Sequence, residues 1–135
     1  MFTTLFLGIY QVDSGNMQYA NAGHNPPLLV HADGSYLELE TSSDMALGIF
    51  FEQMYHSHSI KIESNDLLLM YTDGVTEATS PSNELYGEER LYKIMKDNVG
   101  KPINEIVEIL EDSLQKFQQD NQFDDITYLA IRRNN

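Results

Sequence analysis

The sequence predicts an α+β fold in which antiparallel β-strands come first, two helices follow, and one last strand returns to the sheet. The first two-thirds of the chain alternates strand-length apolar runs with turns that contain Gly, Asn or Asp. Residues 87–98 and 103–119 carry apolar side chains at helical spacing. Residues 125–132 again have the composition of a strand. Strands grouped in this way argue against repeated βαβ units.

The predicted strands are short and lie between turn sequences; they cover residues 2–11, 17–22, 28–31, 36–39, 54–62 and 67–71. The last of these runs is continuously apolar, which is typical of a strand covered on both faces. Residues 41–51 are less regular, and we expect residues 46–49 to be buried. Residues 76–86 are polar and contain a Ser-Pro-Ser-Asn sequence, so they predict a loop before the helices.

Composition narrows the class of protein. A chain of 135 residues with 41 % hydrophobic residues is long enough for one compact domain with its own core. Its formal net charge of −13 disfavours binding to nucleic acid or to an acidic membrane surface. The absence of Cys excludes disulfides, thiolate metal sites and cysteine catalysis, and it suits a cytoplasmic protein.

Carboxylates at two predicted strand ends are the strongest candidates for chemistry. Asp73 follows the apolar run 67–71 and precedes Gly74, which permits a tight turn. Asp124 and Asp125 stand at the start of the last strand, where adjacent side chains point to opposite sides. From spacing alone, a turn-capping Asp and a solvated loop explain these residues as well. If Asp73 and Asp124 converge, they form a hard-oxygen site suited to Mg²⁺ or Mn²⁺.

Histidines supply two further candidates. His24 and Asn25 lie in a loop that begins with Gly23 and is stiffened by two prolines. A His at this place could donate to phosphate or assist proton transfer, or it could fix the loop by bonding backbone carbonyls. His56 and His58 share one face of a predicted strand, a spacing that a zinc pair could use. No third ligand is evident at a suitable spacing, so we interpret this pair as ordinary strand surface.

Four blocks of the sequence together resemble one protein family. They are MFTTLFLGIYQVDSGNMQYANAGHNPPLLV, LLLMYTDGVTEA, ELYGEERL and FDDITYLAIR. In this order, and covering most of the chain, they are similar to consecutive blocks of the SpoIIE-type branch of the 2C-type (PPM) metal-dependent serine/threonine phosphatases. The resemblance implies a β-sandwich of two antiparallel sheets with helices packed outside.

The family's activity supplies expectations for the site. Members hold Mn²⁺ or Mg²⁺ between the sheets, and a metal-activated water attacks a phosphoserine or phosphothreonine. By match to the family motifs, Asp73 and Asp124 are metal ligands. The residues that match supporting positions around the metal site are Gly74, Asp125, His24 and Asn25. The resemblance also implies a phosphoprotein substrate, by family analogy an anti-sigma-factor antagonist in bacterial signalling.

One block of the family pattern is missing from the sequence. The family carries an upstream Asp-x-Ser-Gly-His-Gly block that supplies a bridging Asp and a Gly carbonyl ligand, and no such block occurs here. We therefore expect residues 1–135 to form the C-terminal part of a phosphatase domain, incomplete at its N-terminus and with little or no activity alone. Exposed sheet edges are then expected to allow pairing between copies. The alternatives are a metal-free module that only docks a partner, and an unrelated acidic domain that binds cations for structure.

Overall fold

The structure is a computed structural model that describes residues 1–119 and 125–134. Its strands are β1 (Leu5–Tyr10), β2 (Asn16–Ala22), β3 (Leu28–Val30), β4 (Tyr36–Glu38), β5 (His58–Lys61), β6 (Leu67–Tyr71) and β7 (Tyr128–Arg132). Its helices are α1 (Asp73–Thr76), α2 (Gly87–Asn98) and α3 (Ile103–Gln118). The predicted order of strands, two helices and a returning strand is confirmed, and the short helix α1 is an addition that the sequence did not predict.

The strands form two antiparallel sheets, one with the order β1-β2-β5 and the other with the order β4-β3-β6-β7. The predicted hairpin of β1 and β2 is present. The Gln11 N–H donates to the Asn16 carbonyl and the Gly15 N–H donates to the Gln11 carbonyl, both at 2.8 Å. Gly15 has a φ of 78°, a left-handed backbone conformation that suits glycine.

Alternation along β3 and β6 divides the interior into two cores. Leu29 and Leu68 point toward the three-stranded sheet and pack with Met17 and Tyr19 of β2. Their chain neighbours point the other way, into a core that the four-stranded sheet shares with the helices. That second core contains Leu28, Val30, Leu67, Leu69, Tyr71, Leu91, Met95, Ile106, Leu110 and Leu114. The prediction that residues 67–71 are covered on both faces is therefore confirmed.

The two long helices bury one stripe each against the four-stranded sheet. In α3 the buried residues Ile106, Leu110 and Leu114 follow one another at intervals of four, and α2 contributes Leu91 and Met95. Full burial of such a side chain stabilises the fold by about 1.5–3 kcal/mol. Within the described residues, neither helix combines the length and the hydropathy that a membrane crossing requires. The architecture is the predicted α+β class, an antiparallel β-sandwich with helices packed outside.

Two predictions about the middle of the chain were wrong. The strand expected over residues 54–62 begins only at His58, because the preceding His56 N–H donates to the Asp44 carboxylate at 2.8 Å instead of to a neighbouring strand. Residues 46–49 were expected to be buried together. Ala46 is buried, but Ile49 is 43 % exposed.

The outer face of strand β1 is apolar. Along β1 the side chains of Phe6 and Tyr10 pack toward the core between the sheets. The alternate side chains, those of Leu5, Leu7 and Ile9, are exposed on the opposite face. The described part of the chain therefore leaves this face of β1 uncovered.

Candidate functional site

A cleft of about 290 Å³ lies where the end of β6 meets the loop after β2. Its lining comes from the residue before β1, the loop after β2, the start of α1 with the residue before it, and the segment before β7. The lining residues are Thr4, Gly23, His24, Asn25, Thr72, Asp73, Gly74, Asp125 and Thr127. Five of the six site residues predicted from the sequence are among them. A larger cavity of about 420 Å³ between α3 and the start of β7 is lined by a single carboxylate, that of Glu111, so its chemistry is poorer.

The pairing of β6 with β7 fixes the position of Asp73. The two strands are antiparallel, with Tyr71 opposite Tyr128. One residue further along, Thr72 and Thr127 are joined by three hydrogen bonds. The Thr72 N–H and hydroxyl donate to the Thr127 carbonyl at 3.0 and 3.3 Å, and the Thr127 N–H donates to Thr72 Oγ1 at 3.2 Å. Asp73 therefore begins α1 directly beside the segment that leads into β7.

Gly74 allows the two segments to approach closely. A Cβ added at Gly74 would lie 2.2 Å from the carbonyl oxygen of Asp125 and 3.5 Å from the Cα of Ile126. Gly74 is not among the glycines with positive φ. Glycine is therefore needed here because the neighbouring backbone occupies the space of a side chain, and not, as the sequence suggested, because the chain turns tightly.

Asp124, the second predicted metal ligand, lies outside the described residues. Its covalent neighbour Asp125 lines the same cleft as Asp73. That Asp73 and Asp124 share one site stays a prediction. Within residues 1–119 and 125–134, no group of three or more His, Cys, Asp or Glu side chains could hold a metal ion.

The loop after β2 is held in place through the backbone and the ring of His24. The His24 N–H donates to Asn21 Oδ1 at 2.7 Å, and Asn21 Nδ2 donates to the His24 carbonyl at 2.8 Å. The amide of Asn21 is almost fully buried. His24 Nδ1 is hydrogen-bonded to Thr4 Oγ1 at 3.1 Å. Of the two roles considered for His24, these contacts favour fixing the loop.

The sequence analysis missed several residues that build the site. Asn21 and Thr4 hold His24, while Thr72 and Thr127 join the two strand ends. An Asn two residues before a Gly was a signal for the first of these, because Asn side chains often bond the backbone of the turn that follows. The two threonines could be found only from the register of β6 and β7.

His56 and His58 each have separate protein partners. His56 Nδ1 pairs with Asp44 Oδ1 at 2.8 Å. His58 Nε2 is hydrogen-bonded to Ser42 Oγ at 2.9 Å, and its ring stacks on that of Tyr19. The interpretation of this pair as ordinary strand surface fits His58, but His56 lies outside β5.

The strand end beneath the site carries a tyrosine that stays neutral. Burial raises the pKa of Tyr71, a hydrogen bond with Tyr92 opposes that shift, and the negative charges of nearby carboxylates, Asp73 included, add to it. The Tyr71 ring is therefore an uncharged member of the core that the helices share, directly before Thr72 of the cleft.

Sequence comparison decides the family. The family model described as stage II sporulation protein E (SpoIIE) matches residues 1–134. The chain belongs to the SpoIIE family. Protein IcfG of Synechocystis sp. is 37 % identical over 135 residues, which are 99 % of this chain and 21 % of IcfG. Phosphoserine phosphatase RsbU of Bacillus subtilis is 31 % identical over 134 residues, which are 98 % of this chain and 39 % of RsbU. This SpoIIE-family chain thus spans well under half the length of these curated relatives.

Solved structures confirm the fold of this SpoIIE-family chain. The RsbU and RsbW domains of Rv1364c from Mycobacterium tuberculosis match with a TM-score of 0.75 and 29 % identity, over 97 % of this chain and 36 % of that one. The manganese-presoaked phosphatase domain of SpoIIE from Bacillus subtilis matches with a TM-score of 0.72 and 23 % identity, over 98 % of this chain and 57 % of that one. The predicted 2C-type sandwich is therefore confirmed as the fold.

Proposed function

We propose that this chain forms the C-terminal part of a bacterial protein serine/threonine phosphatase that hydrolyses a phosphomonoester with a metal-activated water. One observation carries the proposal: Asp73 and Asp125 line a single cleft, although they are 52 positions apart in the sequence. Membership of the SpoIIE family supports it. Two relatives, RsbU and RsbP of Bacillus subtilis, are named phosphoserine phosphatases. Activity is proposed for the full-length protein, and we expect little turnover from these 135 residues alone.

The donor chemistry of the cleft suits Mg²⁺ or Mn²⁺. Its carboxylates, hydroxyls and backbone carbonyls are hard oxygen donors, and its single imidazole is engaged with Thr4. The described residues provide too few carboxylates for a two-metal centre, so the proposal requires Asp124 and further carboxylates from another segment. When bound, the metals would acidify the attacking water and offset charge on the phosphoryl oxygens.

Different residues of this chain would have different roles in the site. Asp73 and Asp124 would hold the metal. The Thr72–Thr127 hydrogen bonds keep Asp73 in place, and the close contact at Gly74 sets the position of Asp125 next to it. His24 and Asn25 form another wall of the cleft, which Asn21 stabilises from below. Such rigid support is what a hydrolytic centre needs, because small displacements of its groups slow the reaction strongly.

The substrate we propose is a phosphoserine protein, and within bacterial signalling an anti-sigma-factor antagonist. The names of RsbU and RsbP support the phosphoserine. A net charge of −13 disfavours nucleic acid as the alternative phosphate-bearing partner. A substrate of this class places the enzyme in the cytoplasm. Pairing between copies through the free edge of β1 stays a prediction.

Mn²⁺-dependent release of phosphate from a phosphoserine peptide tests the proposal. The 135-residue chain should be compared with a longer protein in which an upstream Asp-x-Ser-Gly-His-Gly segment precedes it. We expect turnover only from the longer protein. Asp73→Asn or Asp124→Asn should lower kcat/KM by at least about 100-fold, since a lost ligand removes several kcal/mol of transition-state stabilisation. Asp112→Asn, a change at an exposed position of α3, is the matched control. Full activity in Asp73→Asn would refute the proposal.

A metal-free docking module is the second candidate. The observation that favours it is the small number of potential ligands among the described residues. A thermal melting scan with and without Mn²⁺ distinguishes the two, because a metal that binds the native protein raises its melting temperature. A longer protein that contains the upstream block and still binds no Mn²⁺ would support the docking module.

A further inference from the structure

The charge of the cleft is unfavourable for the phosphate group of the proposed substrate. Asp73 and Asp125 both line the cleft, and neither Lys nor Arg is among the lining residues that the structure describes. A phosphomonoester carries nearly two negative charges at neutral pH, so these carboxylates repel it. Phosphoryl oxygens that do not contact a metal therefore need hydrogen-bond donors from the protein.

Few side-chain donors remain in the cleft once its internal hydrogen bonds are assigned. The Thr72 hydroxyl donates to the Thr127 carbonyl at 3.3 Å, and the Thr4 hydroxyl is hydrogen-bonded to His24 Nδ1 at 3.1 Å. Within the described residues, no hydrogen bond engages His24 Nε2 or the side-chain amide of Asn25. Apart from the Thr127 hydroxyl, these two nitrogens are the donors left in the described lining, and they belong to consecutive residues.

The loop that carries these two donors is held in place without using them. The His24 N–H donates to Asn21 Oδ1 at 2.7 Å, and the buried Asn21 amide donates to the His24 carbonyl at 2.8 Å. Pro26 restricts Asn25 to extended backbone conformations. The contacts that fix the loop therefore use the His24 backbone and Nδ1, and they leave Nε2 available.

The contact with Thr4 is compatible with an Nε2 that donates. A neutral imidazole carries one N–H, on either nitrogen, and its other nitrogen accepts. A threonine hydroxyl can donate as well as accept, so Thr4 can donate to Nδ1 of His24 while the ring proton lies on Nε2. The two ring nitrogens point to different sides of the imidazole. In this tautomer Nε2 is therefore a donor that is directed away from Thr4.

We propose that His24 Nε2 and the side-chain amide of Asn25 hold the phosphate group of the phosphoserine substrate, an inference that rests on the proposed function. Hydrogen bonds from N–H donors to a phosphate oxygen are charge-assisted and about twice as strong as those between neutral groups. Donors on a loop that is already fixed lose little conformational freedom when they bind. These two residues bind the substrate, and the carboxylates of the cleft are left to hold the metal.

Two substitutions at position 24 separate phosphate binding from fixing of the loop. The amide of Asn can occupy the place of Nδ1, and the longer amide of Gln can reach the place of Nε2. His24→Asn should therefore keep the contact with Thr4 and lose the donor to phosphate, and His24→Gln should do the reverse. If His24 only fixed the loop, His24→Gln would be the more damaging of the two.

Fluorescence anisotropy measures binding without turnover when the probe is a peptide in which a non-hydrolysable phosphonate replaces the phosphate of phosphoserine. The protein is the longer one that contains the upstream Asp-x-Ser-Gly-His-Gly segment, in Mg²⁺. We expect His24→Asn and Asn25→Asp to weaken phosphonate binding by at least about tenfold, because each loses a charge-assisted hydrogen bond. His24→Gln should stay within about threefold of the unmodified protein.

His56→Asn is the matched control, because His56 also uses Nδ1 for a contact within the protein but is not among the lining residues of the cleft. It should bind the phosphonate like the unmodified protein. Unchanged affinity in His24→Asn or in Asn25→Asp overturns the inference, and so does a loss in His24→Gln that equals the loss in His24→Asn. Asn25→Asp leaves the His24 ring intact, so it decides the matter if His24→Asn melts at a lower temperature than His24→Gln.

Release of phosphate from the phosphoserine peptide in Mn²⁺ separates this inference from the proposed function. If the unmodified longer protein binds the phosphonate through His24 but releases no phosphate, the phosphatase proposal fails and the phosphate contact stands. Full turnover with an unchanged KM in His24→Asn has the opposite meaning: it overturns the contact and leaves the phosphatase proposal in place.

Discussion

Replacing Gly74 by Ala is expected to push apart the two chain segments that carry the proposed metal ligands. The new Cβ would lie 2.2 Å from the Asp125 carbonyl oxygen, which is 0.8 Å inside the 3.0 Å below which real Cβ contacts essentially never occur. The obstacle is backbone, so no flexible side chain can move away. The segment before β7 or the start of α1 has to shift.

The cost follows from what that shift disturbs. Overpacking of this kind costs about 1–3 kcal/mol. The three Thr72–Thr127 hydrogen bonds are next to the clash, and weakening one or two of them removes about 0.5–1.5 kcal/mol each. The better helix propensity of Ala returns at most about 1 kcal/mol. We therefore expect a net destabilisation of about 2–3 kcal/mol, or a fall in Tm of about 6–12 °C for a chain of this length.

Thermal and urea unfolding followed by circular dichroism measure this change. Gly100→Ala is the control, because a Cβ at Gly100 meets nothing within 4 Å. Its unfolding free energy should change by no more than about 0.5 kcal/mol. Equal stability of Gly74→Ala and the unmodified chain would refute the close approach of Asp125 to α1. So would equal losses in the two variants.

Two further predictions concern pH. Hydrogen bonds from the His56 N–H, and then from its ring, lower the pKa of Asp44 from its ordinary value of 3.8. The charged carboxylate therefore stabilises the loop 44–56 above pH 3.8. This contribution is lost as the pH falls through the lower pKa of the folded state. Pepsin cleavage at Phe50–Phe51 should accelerate in that window, and Asp44→Asn should abolish the pH dependence; an unchanged dependence would contradict the prediction. Burial raises the pKa of Tyr86 and Tyr92 above 10.0, so both stay protonated in the native state while the unfolded chain ionises, and stability should fall as the pH rises above 10. Urea midpoints should show a shallower alkaline decline in Tyr86→Phe, and an identical decline would count against buried, neutral tyrosines.

Local sequence was sufficient to predict the strand that carries Asp73 but not what lies beside it. The continuous apolar run of Leu67–Tyr71 indicated burial on both faces, and two cores formed by the described residues meet there. The pairing of Thr72 with Thr127 joins residues 55 positions apart, so no local pattern contains it. Helix α1 was missed because an Asp-Gly pair usually marks a turn, whereas here the Glu77 N–H donates back to the Asp73 carbonyl at 2.8 Å.

In the loop 44–56 the local sequence predicted burial wrongly. Its apolar residues led to the expectation that residues 46–49 are buried, but hydrophobicity alone does not distinguish a core residue from an exposed one. The hydrogen bond from the His56 N–H to Asp44 closes the loop and joins residues 12 positions apart. The same hydrogen bond keeps His56 out of the strand that was predicted to begin at residue 54. The family motifs pointed to the cleft, and the contacts between distant segments show how the described part of it is built.

Strand β6 forms one wall of both cores, since Leu68 faces the other sheet while Leu67 and Leu69 face the helices. Neither core can melt without uncovering one side of that strand. Its amide protons should therefore exchange with solvent only when the whole domain unfolds, more slowly than those of the surrounding loops. Asp73 directly follows this doubly covered strand, so we expect any regulated loosening of the site to come from the loops around it.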